Sequence, residues 1–130
     1  MTLAAVFLAL AAQPTADHCN NISPWVTRAC IGRRLEAKDR LVRSLYPRAL
    51  ASVRSGFAKW GRQDTRLNPR HFADAHRDWQ RFIASNCRAL GAFGGGSNTS
   101  ISDRITRCHE RELDARIQLY RQIADGTYGQ

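Results

Sequence analysis

The sequence has 130 residues and a mass of 14.6 kDa, a length that suits one domain and leaves no room for a second hydrophobic core. Hydrophobic residues make up 43% and aromatic residues 8%, so we expect a globular core of modest size. The formal net charge of +9 favours acidic partners or anionic surfaces at low salt.

The N-terminus begins with an uncharged apolar run at residues 3–12, and the first charged side chain is Asp17. About ten apolar residues are too few to cross a bilayer as a helix, but they match the hydrophobic core of a signal peptide. Small residues follow the run, although no basic residue precedes it. We therefore predict a signal peptide over residues 1–16, a single helical domain over residues 17–130, and a secreted or periplasmic location. A buried N-terminal helix is the alternative.

The first predicted helix starts at Ser23-Pro24, a capping residue followed by a proline, which the first turn of a helix accepts. Apolar residues then recur at spacings of three, four and once seven, which predicts one long helix buried along a single stripe. Pro47 lies inside this stretch and is expected to kink the helix. The stripe consists of Ile31, Leu35, Val42, Leu45, Ala49, Val53, Phe57 and Trp60.

The second predicted helix starts at Asn68-Pro69, again a capping residue followed by a proline. Gly91 is expected to end it, because a glycine accepts the left-handed conformation that closes many helices. Residues 91–98 are rich in glycine and predict a flexible loop. The apolar stripe of this helix consists of Phe72, Ala75, Trp79, Phe82, Ile83, Cys87 and Leu90.

The third predicted helix opens at Ser100, with Asp103 at the spacing of a capping box, and continues to Gly126. No segment shows the alternation of apolar and polar residues that a strand requires. The sequence therefore predicts an all-α fold, a three-helix up-down-up bundle.

Four cysteines, an even number in a short exported chain, predict disulfides that support the small core. In an up-down-up bundle Cys30, Cys87 and Cys108 fall at one end, and Cys19 lies on the segment that leads into it. Three pairings are possible. We favour Cys19–Cys30 with Cys87–Cys108, because each of these bridges closes a local loop and together they leave no free thiol.

The residue types that carry catalysis or bind metals do not come together in the sequence. His18-Cys19 and Cys108-His109 are adjacent pairs rather than spaced ligands, so no metal site is expected. The carboxylates are scattered over arginine-rich helix faces, in pairs such as Glu36 with Arg40, so we expect no catalytic residue and no cofactor. The arginines are spread over all three helices, and together with export this argues against nucleic acid as a partner.

Five further positions form a pattern when they are counted from the cysteines. They are Leu35, Asp39, Tyr46, Trp79 and Arg116. The first three follow Cys30 by five, nine and sixteen residues, and the last two lie eight residues before Cys87 and eight residues after Cys108. This series resembles the LprI-like lysozyme-inhibitor N-terminal domain family over about residues 19–120.

The resemblance implies a small exported helical protein, which in some members of the family inhibits lysozyme. We expect Asp39, Tyr46, Trp79 and Arg116 to cap, pack and bridge the bundle rather than to contact a partner. The chain departs from the family pattern at Arg43, where asparagine is common, at Ile83-Ala84, where arginine and aspartate are common, and at Leu113, where threonine is common. The fold therefore carries over more directly than any binding specificity.

Two functions follow from these observations. The first is a non-enzymatic binding protein for a protein partner, which the resemblance implies to be lysozyme. Animal-type lysozymes are themselves basic, so such an inhibitor needs a local acidic patch, for which Asp74, Asp78 and Asp103 are the candidates. The alternative is a cationic envelope protein whose arginines bind anionic polymer or lipid headgroups. Neither function requires a membrane span, and the oligomeric state stays open.

Overall fold

The computed structural model of the protein describes residue 19, residues 23–61 and residues 68–130. Its helices are α1 (Pro24–Trp60), α2 (Pro69–Phe93) and α3 (Asn98–Asp125), and none of the described residues lies in a strand. The prediction of an all-α fold with three helices is thus confirmed. The signal peptide predicted over residues 1–16 lies outside the described residues. Within the part of the chain that is described, no helix is long and apolar enough to cross a membrane.

The chain divides into two compact units, Met1–Gly32 and Arg33–Gln130. In the first unit a disulfide joins Cys19 to Cys30, on the second turn of α1. The second unit contains the rest of α1 together with α2 and α3, and it holds the hydrophobic core.

In the second unit α1 and α3 are joined by a network of ion pairs. Glu110 Oε1 lies 2.7 Å from Arg34 Nε and 2.9 Å from Lys38 Nζ, and Lys38 Nζ also lies 2.7 Å from Asp114 Oδ1. Burial alone would raise the pKa of Glu110, but hydrogen bonds from Lys38 and Arg34 outweigh it and hold the pKa below 4.5. Arg34 pairs with Glu110, and Lys38, one turn later in α1, pairs with Asp114, one turn later in α3. The two helices α1 and α3 therefore run parallel.

Among the three helices α2 and α3 make the most extensive contact. They run antiparallel, because Cys87 is bonded to Cys108 whereas His76, earlier in α2, contacts Tyr120, later in α3. The disulfide Cys87–Cys108 joins the last turns of α2 to the first half of α3. The bundle is therefore up-down-up, stapled at one end, as the sequence predicts, and both disulfides have the favoured pairing. A bridge that closes a loop of 21 residues contributes about 3 kcal/mol by restricting the unfolded chain.

The ends of α2 and α3 differ from those expected. Gly91 does not end α2, which continues to Phe93, so the loop predicted over residues 91–98 reduces to Gly94–Ser97. The cap of α3 is Ser97, whose side chain accepts a hydrogen bond of 3.2 Å from the backbone N–H of Ser100. The C-terminal end is as predicted, because Gly126 adopts the left-handed conformation with φ of 72°.

The core lies in the middle of the bundle and receives side chains from all three helices. Val42, Leu45 and Ala49 of the stripe predicted for α1 are buried there, and Pro47 lies inside α1, where it removes one backbone hydrogen bond. Phe57 and Trp60 belong to the same stripe but are 38% and 51% exposed. Arg34 on α1 contacts Glu110 on α3, 76 residues later in the sequence. Because the two helices run parallel and have the same rise per residue, Asp125 at the end of α3 lies level with Ala49 of α1. The last turns of α1 therefore extend past α3. The buried core residues are Val42, Leu45, Ala49, Trp79, Leu113, Ile117 and Tyr120.

Candidate functional site

A groove of about 400 Å³ lies among the three helices of the second unit. Its apolar side chains come from every helix, and polar side chains stand beside them. A site of this kind, mainly apolar with a few polar groups, is the ordinary form of a binding site. The lining residues are Leu35, Glu36 and Asp39 from α1, Trp79, Gln80 and Ile83 from α2, and His109 and Leu113 from α3.

Trp79 belongs both to the groove and to the core. Its side chain is 8% exposed, which confirms that it packs between the helices. The guanidinium carbon of Arg116 lies 4.5 Å from the centroid of the Trp79 ring and 5.5 Å from that of Tyr120. A guanidinium over an aromatic ring is attracted by its π electrons, so the rings of Trp79 and Tyr120 stabilise the position of Arg116 within the bundle.

Two carboxylates of α1 stand at the groove, and both are ion-paired within their own helix. Asp39 Oδ2 lies 2.6 Å from a terminal nitrogen of Arg43, and Glu36 Oε2 lies 3.9 Å from one of Arg40. The side chains of Asp39 and Glu36 are 47% and 72% exposed. Such solvated pairs contribute little to stability, so both carboxylates remain accessible to a partner.

Next to Trp79 lies a polar pair inside an aromatic cluster. His76 is buried, and its Nδ1 shares a hydrogen bond of 2.7 Å with the hydroxyl of Tyr120. The ring of Tyr46 stacks on the imidazole, with 4.0 Å between the centroids. Burial lowers the pKa of His76 below 6.5, and the charge of Arg116 lowers it further, so the imidazole is neutral at pH 7. Because His76 and Tyr120 satisfy each other, both are accommodated in an apolar core.

The five positions that the resemblance singles out come together in the structure. Leu35, Asp39 and Trp79 line the groove. Arg116 lies over Trp79, and Tyr46 stacks on His76, whose ring centroid is 6.1 Å from that of Trp79. Positions that are far apart in the sequence therefore form one continuous cluster around Trp79.

Three of the positions where the chain departs from the family pattern lie at the groove or beside it. Ile83 and Leu113 are two of the apolar side chains of the groove, and Arg43 is the ion-pair partner of Asp39. With isoleucine and leucine in place of the polar residues that the family pattern has there, the groove is more apolar at these two points.

The three aspartates that are candidates for an acidic patch do not lie at the groove. Asp74 and Asp78 lie on the outer face of α2, where they pair with Arg77 and Arg81, and neither they nor Asp103 line the groove. The carboxylates that line it are Glu36 and Asp39. Their position depends on α2 and α3, which the spacing along α1 alone does not reveal.

The hydrogen-bonded pair of His76 and Tyr120 is not predicted from the sequence. The signal for His76 was present, because it follows Phe72 by four residues and precedes Trp79 by three, the spacing of the buried face of α2. A histidine on such a face needs a buried polar partner. That partner lies 44 residues further along the chain, on a different helix.

Among residue 19, residues 23–61 and residues 68–130, no three side chains of the types that bind metals come together, and all four cysteines are in disulfides. Comparison with protein-family models, with curated proteins and with solved structures finds no match. The resemblance to the LprI-like family therefore rests on the spacing counted from the cysteines, and membership of that family is a proposal.

Proposed function

We propose that this is an exported, non-enzymatic binding protein that holds a basic side chain of a protein partner in the groove beside Trp79. Lysozyme is the partner that the resemblance implies. One observation carries the proposal: in a chain of net charge +9, the groove combines an apolar lining with two accessible carboxylates, Glu36 and Asp39.

The chemistry of the groove suits a lysine or arginine side chain. Such side chains have an apolar stem and a charged end. The stem would lie against Leu35, Ile83 and Leu113, and the charged end would replace Arg40 and Arg43 as the counter-ion of the carboxylates. Hydrogen bonds between charged groups are about twice as strong as those between neutral groups, and here they would form beside an apolar surface.

The overall charges of two basic proteins slow their approach, so attraction has to come from a local site. The groove offers such a site on a protein whose remaining surface is arginine-rich. The disulfides support export, since disulfides form and persist in oxidising compartments.

The test is inhibition of lysozyme during the lysis of bacterial cell walls, measured as a function of protein concentration. We expect saturable inhibition, and we expect the double variant Glu36→Gln/Asp39→Asn to weaken it at least tenfold, because the loss of even one hydrogen bond to a charged group, about 1.5–3 kcal/mol, corresponds to a factor of ten or more. The melting temperature should hardly change, since both pairs are solvated.

The matched control is Asp74→Asn/Asp78→Asn, which removes two carboxylates that are ion-paired in the same way but lie outside the groove. It should inhibit like the unmodified protein. No inhibition at micromolar protein would discard lysozyme as the partner. Equal weakening by both double variants would show that the groove is not the binding site.

A further inference from the structure

His109 is the titratable side chain of the groove that the proposed function leaves unused. It lines the groove from α3, one turn before Leu113, and it is partly buried. The adjacent Cys108 is bonded to Cys87 of α2, so the backbone that carries the imidazole is held against the neighbouring helix. The imidazole therefore has a fixed place beside the position that a basic side chain of the partner would occupy.

The ring nitrogens of His109 are available to a bound group. No hydrogen bond or ion pair joins them to another residue in the described part of the chain. The buried His76 differs, because its Nδ1 shares a hydrogen bond with the hydroxyl of Tyr120. A neutral imidazole has one nitrogen that accepts a hydrogen bond, whereas both nitrogens of an imidazolium are donors. Since the charged ends of lysine and arginine are also donors, only the neutral ring of His109 suits them.

The other charged groups at the groove keep their charges in the range where a histidine titrates. The side chains with which α2 lines the groove are uncharged. Glu110, next to His109 in the sequence, points about 100° further around α3 and pairs with Arg34 and Lys38. Carboxylates and guanidinium groups are ordinarily charged from about pH 5 to pH 8, so His109 is the group that changes the charge of the groove there. The charged groups beside it are Glu36, Asp39, Arg40 and Arg43 on α1 and Glu112 and Arg116 on α3.

We propose that His109 makes binding in the groove depend on pH: the neutral imidazole admits a basic side chain of the partner, and the imidazolium excludes it. Protonation removes an acceptor from the groove and adds a charge of the same sign as the bound group, and both changes weaken binding. The protein therefore holds its partner at neutral pH and releases it in a mildly acidic compartment. This inference rests on the proposed function, because it concerns the same groove and the same kind of partner.

The experiment measures the affinity for lysozyme by calorimetry at about pH 7.5 and about pH 5.5, in about 0.15 M salt. His109→Gln stays neutral at both values. Titrating groups of lysozyme act on every variant alike, so the difference between variants isolates His109. Binding by the unmodified protein should weaken at least about fivefold more between the two pH values than binding by His109→Gln, the lower end of ordinary coupling between two sites. His109→Lys, which is charged at both values, should bind weakly at both.

The coupling is reciprocal, which provides a second readout on the same complexes. If a proton on His109 weakens binding of the partner, then binding of the partner expels that proton. Calorimetry in two buffers of different ionisation enthalpy measures the protons released between about pH 5.5 and pH 7.5. The unmodified protein should release more than His109→Gln. His109→Asn is a second neutral variant, used if His109→Gln does not retain the melting temperature of the unmodified protein.

The matched controls are the two other histidines of α2. His71→Gln alters an exposed side chain outside the groove, and His76→Asn alters the buried ring bonded to Tyr120. Both variants should keep the full dependence of binding on pH. Loss of that dependence in His76→Asn, with its retention in His109→Gln, would assign the effect to the core and overturn the proposal.

The remaining outcomes separate this inference from the function on which it rests. Binding that weakens equally in the unmodified protein and in His109→Gln would overturn the role of His109 and leave the groove as the binding site. Tight binding by His109→Lys at about pH 7.5 would do the same. No binding of lysozyme by the unmodified protein at either pH would instead contradict the proposed function, and this inference with it.

Discussion

Trp79 is the side chain that connects the core with the groove, and its contribution to stability can be isolated. We expect Trp79→Ala to lower the free energy of unfolding by about 3–5 kcal/mol, because it leaves a cavity between the helices. The variant also removes the ring beneath Arg116, whose guanidinium carbon lies 4.5 Å from the ring centroid. Urea unfolding of the oxidised protein measures the change. Trp60→Ala, at a side chain 51% exposed, should cost about 0.5 kcal/mol, and similar losses for the two variants would contradict the burial of Trp79.

His76 is expected to make stability depend on pH just below neutrality. Burial, and after it the charge of Arg116, lowers the pKa of His76 below 6.5 in the folded protein. Between this lowered pKa and 6.5 the unfolded chain binds more protons than the folded protein. Stability therefore rises with pH in this window, and it is lost as the pH falls below 6.5. Glu110 titrates below 4.5, so its contribution is lost only at lower pH.

The measurement is the free energy of unfolding between about pH 5 and pH 7.5. His76→Asn keeps a nitrogen near the position of Nδ1 but does not titrate, so it should flatten the slope. His71→Asn, at an exposed position on the same helix, should leave the slope unchanged. A slope that persists in His76→Asn would assign the pH dependence to another group.

The contact between α2 and α3 depends on the absence of a side chain at Gly91. A Cβ atom at this position would overlap the side chain of Ile105. We therefore expect Gly91→Ala to destabilise the protein by about 1–3 kcal/mol, as overpacked cores do, in spite of the better helix propensity of alanine. Gly56→Ala is the control, since nothing lies within 4 Å of a Cβ there. It should stabilise α1 by about 0.5–1 kcal/mol in thermal or urea unfolding, and a gain of stability at both positions would contradict the close approach.

The helices illustrate which features a single sequence determines. Asn68 caps α2 as predicted, with its side chain accepting a hydrogen bond of 2.9 Å from the N–H of Arg70, because capping involves only neighbouring residues. The prediction that Gly91 ends α2 is wrong, because a glycine near a helix end suits either a cap or a close approach, and only the neighbouring helix distinguishes the two. The prediction that Trp60 is buried is wrong for a related reason, since periodicity shows the buried side of a helix but not where the neighbouring helices end.

At the scale of the whole molecule, the fold was easier to predict than the site. Three amphipathic segments with short connections leave few arrangements other than a bundle. Of the three possible disulfide pairings, the one that closes two local loops is the one observed. The groove arises where three helices meet, so its carboxylates Glu36 and Asp39 resemble ordinary surface residues within α1. The spacing counted from the cysteines identified Leu35, Asp39 and Trp79, but it did not show what they surround.

The net charge leads to a prediction about how fast a complex with lysozyme forms. Because a chain of charge +9 and a basic enzyme repel each other at long range, added salt should speed their association. The Debye length falls from about 30 Å at 0.01 M salt to about 10 Å at 0.1 M, so screening removes the repulsion before it weakens contacts in the groove. Stopped-flow measurements over this range should show an association rate constant that rises several-fold, with a smaller change in the dissociation rate. Binding of anionic polymer through arginines has the opposite trend, a loss of about tenfold or more as several contacts are screened. An association rate with lysozyme that falls with salt would therefore mean that the long-range charges attract, and it would contradict a groove that acts against an overall repulsion.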